Sequence, residues 1–178
     1  MGSRIVIIGS GGHGKVVFDA IKAQQKYDIV GFVDHAVIVD TIVIDNYKVI
    51  AQQNDIDLIL KNADFFIVAI GNNIMREQVY NLFKSLLKPA TIIHPSSIIG
   101  SNVRIEEGVV ILANSVLNAN SNIRENSIVN AGVIVDHDCE ICNSVHLSIG
   151  TIVGSNSLIN KGYMTTIGQN LNSFSNII

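Results

Sequence analysis

His137 lies between two carboxylates, in Asp136-His137-Asp138. A histidine beside a carboxylate is held in one tautomer with raised basicity, which suits it to act as a general base. His146 follows nine residues later. A second cluster lies near the N-terminus, in Gly9-Ser10-Gly11-Gly12-His13-Gly14. This glycine pattern closes a strand and opens a helix, so the backbone can approach a phosphate that sits on the helix N-terminus. Asp34 comes twenty residues after Gly14, at the end of the next strand, where a carboxylate can accept ribose hydroxyls. His13, inside the loop, and His35, beside Asp34, are expected to line the same pocket. His94 reads as structural. Cys139 and Cys142 form a C-x-x-C, but a structural zinc site needs four ligands and the chain has no second pair. They read as small packing residues, with Cys139 pointing inward and Cys142 not.

Two kinds of element must position these residues. Up to about residue 88 the pattern alternates strand and helix. Arg4–Ile8 is a short apolar run suited to a strand buried on both faces, and helical spacing follows from Lys15 to Ile21. A second strand covers Ile29–Val33 and ends at Asp34, and a third covers Phe65–Ile70 before Gly71-Asn72-Asn73. Asn72 or Asn73 caps a helix from Ile74 to Leu87. His35 to about Asp57 reads as a loop and a short helix. The implied domain is a small parallel sheet of three or four strands, half of a dinucleotide fold, which fits a mononucleotide group better than NAD.

Pro89 and Pro95 bracket a change of period. From Ile93 onward every sixth residue is Ile, Leu or Val as far as Ile177, with Thr165 the one departure. Four residues after each stop sits a mostly small side chain, such as Ser97, Val109, Ser121, Cys139 or Ser157. Three such hexads make one triangular coil, and each coil buries its faces on its neighbours. Asn, Asp and Gly fall at the corners, among them Gly108, Gly132, Gly150, Gly154 and Gly168, where positive φ costs them least. On this prism His137 occupies an outward position. The domains expected are residues 1–90 and 91–178.

Composition excludes several classes. With 48% apolar and only 15% charged residues the chain is rich in hydrophobes, yet no apolar run approaches the roughly 18 residues of a membrane span. A net charge of −3 without a Lys/Arg cluster argues against nucleic acid as a partner. The N-terminus leads straight into a strand rather than a signal peptide, so a cytoplasmic protein is expected.

Taken together, Gly-Ser-Gly-Gly-His-Gly, Asp34, Ala69-Ile70-Gly71-Asn72-Asn73, Ile93-His94-Pro95, His137-Asp138-Cys139 and Val145-His146-Leu147-Ser148 resemble the sialic-acid O-acetyltransferase and nucleotide-amino-sugar N-acetyltransferase family. The resemblance covers almost the whole chain. It implies a Rossmann-like α/β half-domain that binds a nucleotide sugar, followed by a left-handed parallel β-helix that assembles as a homotrimer. Acetyl-CoA would lie as co-substrate between adjacent prisms, with no metal and no membrane insertion. Carried over by position, His137 is the general base and Asp138 the carboxylate that raises its basicity. Gly11, Gly12, His13, Asp34, His35 and Gly71 would bind the nucleotide sugar, and His146 and the backbone near Ile167 would contact CoA. The implied reaction moves an acetyl group to the amine of a nucleotide-linked amino sugar of the UDP-4-amino-4,6-dideoxy type, for glycan biosynthesis. O-acetylation of sialic acid or another sugar is the alternative reading. A catalytically impaired sugar-nucleotide-binding trimer is the reading from a different class, and a γ-type carbonic anhydrase, with zinc held by three histidines, is a fourth. Family members carry further coils and a short tail containing Gly-x-Pro-Ala-Lys, whereas this sequence stops at Ile178 on the repeat. Tyr163, Thr165 and Gln169 also break the hexad rule, so a truncated or weakly ordered end is expected.

Overall fold

The computed structural model describes residues 3–177. The chain divides into two compact units, Met1–Ala90 and Thr91–Ile178.

The first unit is built on a sheet whose strands lie in the order Ile42–Ile44, Tyr47–Gln52, Asp28–Asp34, Arg4–Ile8, Phe65–Val68 and Lys88–Pro89. β1 (Arg4–Ile8) sits near its centre, and Ile5, Val6, Ile7 and Ile8 are all fully buried, as a strand covered on both faces requires. It pairs in parallel with β2 (Asp28–Asp34) and β5 (Phe65–Val68). α1 (Gly12–Gln24) follows β1 and stops at Gln25, which turns left-handed at φ 56° and donates its N–H to the Ile21 carbonyl. α3 (Asn73–Phe83) is capped by Asn72, whose side chain accepts the Met75 N–H at 3.0 Å.

The sheet is wider than the three or four strands expected. β3 (Ile42–Ile44) and β4 (Tyr47–Gln52) form an antiparallel hairpin, β4 pairs in parallel with β2, and only then comes the short α2 (Ile56–Asn62). The hairpin lies in the stretch expected to be a loop. Its turn is Asp45-Asn46, with Asp45 at φ 49°, and a three-residue strand is too short to show an alternation of its own. A two-residue β6 (Lys88–Pro89) adds the other edge. α3 also ends four residues earlier than the apolar spacing suggested.

The second unit is a prism. Strand pairs stack in three parallel sheets, each strand two residues long and one coil above its partner. The first face carries Ile92–Ile93, Val110–Ile111, Ile128–Val129 and His146–Leu147. The second carries Ile98–Ile99, Val116–Leu117, Ile134–Val135, Ile152–Val153 and Asn170–Leu171. The third carries Arg104–Ile105, Asn122–Ile123, Glu140–Ile141, Leu158–Ile159 and Asn176–Ile177. The sixfold aliphatics from Ile111 to Ile159 line a continuous buried core.

A left-handed residue at every sixth position turns the corners, from Asn102 without interruption to Phe174. Asn, Gly and Asp fill most of these sites because positive φ costs them least. Gly162 belongs to this series and Gly154 does not, which corrects the expectation from spacing. Gly154 is required for another reason: a Cβ there would lie 2.4 Å from the Ser173 backbone N of the next coil.

The small inward residues also bond the corners. Ser121 donates its hydroxyl to the Asp136 carbonyl at 2.7 Å, and Ser127 donates to the Cys142 carbonyl at 2.9 Å. A buried hydroxyl is tolerated in the core because it is paired in this way. Cys139 occupies an equivalent place, its Sγ 3.2 Å from the Gly154 carbonyl oxygen, while Cys142 is only half-buried. The departure from the hexad rule near the end alters pairing on the first face. Met164 makes an isolated bridge to His146, and the Thr165 hydroxyl accepts the Ser148 N–H at 2.7 Å and shares a bond with Thr151 at 2.8 Å. Regular pairing then resumes.

Candidate active site

In the first unit a cavity of about 260 Å³ opens at the carboxyl ends of the parallel strands. Ligands of open α/β sheets bind there because the loops after the strands converge at that edge. The glycine loop leaves β1, with Gly9 at φ 107° and its N–H donated to the Val33 carbonyl at 2.8 Å. Gly11, Gly12, His13, Asp34, His35 and Gly71, all singled out in the sequence, line this one cavity. The structure adds Gln53, Met75 and Ile70. Gln53 follows β4, so missing the hairpin meant missing this side chain.

Asp34 is more occupied than its position suggested. Its Oδ2 accepts the Ser10 N–H at 2.9 Å and the Ser10 hydroxyl at 2.7 Å, and its Oδ1 accepts the Ala36 N–H at 2.9 Å. Burial opposes its charge, yet donors from Ala36, Ser10 and Val37 outweigh that and hold the carboxyl below its ordinary range. Asp34 therefore ties the glycine loop to the β2 end, and little of its acceptor capacity remains for a ribose. His35 lies 3.7 Å from it with a largely exposed ring. On the other wall, the buried Arg76 guanidinium donates to the Ile70 and Gly71 carbonyls, each at 3.2 Å. Burial pushes its pKa down to about 10, so it stays charged at neutral pH and pins the loop after β5.

In the second unit, His137 projects from the corner between the second and third faces, its side chain half exposed. The two flanking carboxylates have different partners. Asp138 Oδ2 lies 2.7 Å from His137 Nδ1, while Asp136 Oδ1 accepts the His137 backbone N–H at 2.8 Å. The hydrogen bond that the ring donates to Asp138, opposed by desolvation and helped by the charges of Asp136 and Asp138, raises the imidazole pKa above its ordinary value. With Nδ1 donating to Asp138, Nε2 keeps its lone pair and faces outward as a proton acceptor. The preceding coil supports both carboxylates: Asn118 donates to Asp136 at 3.2 Å and Asn120 donates to Asp138 at 3.1 Å.

His146 does not join this dyad. Its ring is buried on the first face, with Nε2 3.2 Å from Asn130 Nδ2. Ile167 is 76% exposed, in the corner turn between the first and second faces and one coil above the exposed Ile149. His94 Nδ1 accepts the Ser96 N–H at 3.2 Å within a local turn. Among the described residues no three His, Cys, Asp or Glu side chains group as a metal site.

Residues 4–83 match the family described as the PglD N-terminal domain. Solved structures match along almost the whole chain. The acetyltransferase domain of PglB from Neisseria gonorrhoeae, in complex with acetyl coenzyme A, is 28% identical with a TM-score of 0.72, covering 97% of this chain and 86% of that one. A histidine-to-asparagine mutant of perosamine N-acetyltransferase from Caulobacter crescentus, in complex with CoA and GDP-perosamine, is 28% identical with a TM-score of 0.78, covering 95% and 82%. Along nearly its whole length the chain is similar to these acetyltransferases, and its first unit matches the PglD N-terminal domain. The fold is a Rossmann-like α/β half-domain followed by a left-handed parallel β-helix. PerB from Caulobacter crescentus, again with CoA and GDP-perosamine, gives the same picture at 28% identity and a TM-score of 0.71, covering 95% of this chain and 83% of that one. No curated protein sequence matches the chain. No described helix is long and apolar enough to cross a membrane.

Proposed function

We propose that this chain transfers the acetyl group of acetyl-CoA to the amine of a nucleotide-linked amino sugar. The observation that carries this reading is the His137–Asp138 pair, held at 2.7 Å on an exposed corner of a β-helix. Its 28%-identical neighbours, solved with acetyl-CoA or with CoA and GDP-perosamine, support the choice of co-substrate and sugar. His137 Nε2 takes a proton from the amine as its nitrogen attacks the thioester carbonyl. A C–N bond forms, the C–S bond breaks, and the thiolate of CoA leaves and is protonated. Asp138 fixes the ring and stabilises the imidazolium that forms. The cavity between the glycine loop and the loop after β5 holds the nucleotide, with Gly11, Gly12, His13, His35 and Gly71 against it and Asp34 shaping the loop. Ile167 and its corner border the CoA, and His146 supports the first face behind it.

The working form is a homotrimer in the cytoplasm. The second face supports this, because its outward row Ile98, Ile134 and Ile152 leaves 63%, 38% and 43% of each residue exposed. Apolar rows of this kind mark association surfaces. Ile152→Asp is expected to convert the trimer to monomer in light scattering; a wild-type mass for that variant puts the interface elsewhere.

Thiol release from acetyl-CoA, measured with UDP-, GDP- and dTDP-linked amino sugars and with free sialic acid, tests the reaction. Turnover is expected with an amino-sugar nucleotide. Turnover with sialic acid alone would select O-acetylation, and silence with every acceptor would remove the enzyme reading.

The base must be neutral to act. Below its pKa His137 is protonated and turnover is suppressed; as pH rises through that value the base is freed. Because Asp138 raises the pKa, the acid limb of kcat/KM is expected above about 6.5, the ordinary histidine value, once the amine's own titration is subtracted. A limb at or below that value counts against His137 as the base.

A further inference from the structure

Asn102, Asn120 and Asp138 occupy one corner of three successive coils and share a left-handed backbone, with φ of 58°, 62° and 58°. Their side chains form a single hydrogen-bonded file. Asn102 Nδ2 donates to Asn120 Oδ1 at 3.2 Å, and Asn120 Nδ2 donates to Asp138 Oδ1 at 3.1 Å. The other oxygen of that carboxylate, Oδ2, is the one bonded to His137 Nδ1. Resting on the reading of His137 as general base, we propose that Asn120 is a positioning residue for that base: its amide fixes the plane of the Asp138 carboxylate and so aims the imidazole.

The corner does not need asparagine for its turn. Equivalent positions carry Gly108, Gly132 and Gly150 with the same backbone sign. What asparagine adds is an amide with a donor for the coil above and an acceptor for the coil below. A carboxylate bonded at one oxygen alone can rotate about its χ2 torsion; bonded at both, it holds one plane. The bond from His137 and then the Asn120 amide hold the Asp138 carboxyl below its ordinary range.

The ionisable groups acting on the ring are Asp136 and Asp138. From the coil below come the neutral amides of Asn118 and Asn120. From the coil above, the Asn156 backbone N–H bonds the His137 carbonyl at 3.1 Å. Cys139, the neighbouring thiol, is pushed up by burial and stays neutral.

The test is Asn120→Gly, which keeps the turn and removes the amide. Freed of a competing donor, Asp138 should accept more strongly from the protonated ring. The His137 titration followed by NMR should then move to higher pH, and kcat should fall about tenfold, the scale of one hydrogen bond to a charged group. Asn120→Asp, which also tolerates this backbone, adds a negative charge beside Asp138 and should move the titration further in the same direction. If both variants titrate like the wild type, Asn120 only makes the corner and the proposal is overturned. The NMR titration needs no turnover, so its outcome stands apart from the acetyl-transfer reading, which His137→Ala tests separately.

Discussion

Replacing His137 with alanine is expected to lower turnover by about 10² to 10⁴, the usual contribution of a positioned general base. The geometry sets this scale. Asp138 takes Nδ1 and leaves Nε2 as the acceptor; with the ring removed, Asp136 still accepts the backbone N–H and Asp138 the Asn120 amide, and a carboxylate is a far weaker base than an imidazole. The KM for acetyl-CoA should change little, since the imidazole meets the reacting amine and not the body of CoA. Stability should change little, as for most surface substitutions, because the side chain is half exposed on a corner and adds nothing to the core. The same exposure lets free imidazole reach the gap, so added imidazole should restore part of the rate. Steady-state thiol release with and without imidazole provides the measurement. Near-full activity in the variant would remove His137 from the mechanism.

Gly14→Ala should have the largest effect in the first unit. A Cβ at Gly14 would lie 2.3 Å from the Gly9 carbonyl oxygen and 3.2 Å from its carbon, and Phe32 closes a third side at 3.6 Å. The nearest obstacles are backbone atoms, so α1 must move away from the loop that shapes the nucleotide cavity. Overpacking of this kind costs on the order of 1–3 kcal/mol. That loss should appear as a lower Tm, together with nucleotide affinity reduced tenfold or more by calorimetry. Gly11→Ala serves as the contrast. Nothing lies within 4 Å of a Cβ there, so the chain should keep its Tm while the methyl group crowds the ligand at the cavity wall. A wild-type Tm and affinity in Gly14→Ala would mean that the loop can yield at no cost, and the close approach of α1 would lose its functional meaning.

Much of the architecture can be read directly from the residues. A repeat of six without insertion obliges the chain to turn at a fixed interval, and positive φ at each turn calls for Asn, Asp or Gly. The prism and its corners therefore follow from spacing alone. The glycine loop was legible for a similar reason, since a strand that must turn sharply into a helix leaves room for little else. The hairpin was not legible, because three residues of β3 carry no measurable period and their pairing with β4 is a tertiary choice. Gly154 looked like one more corner glycine, but the close approach of the next coil is what requires it.

Residue types and spacing set the frame: two units, a phosphate-type loop at the carboxyl edge of a sheet, and an outward histidine between two carboxylates. How those groups are used emerged only in three dimensions. There the ring belongs to Asp138 and its backbone N–H to Asp136, Asp34 is filled with donors from its own loops, and His146 lies in a buried contact with Asn130. Hydrogen-bond partners depend on the direction of lone pairs and on which coil lies one turn away in space. Neither can be read from distance along a chain.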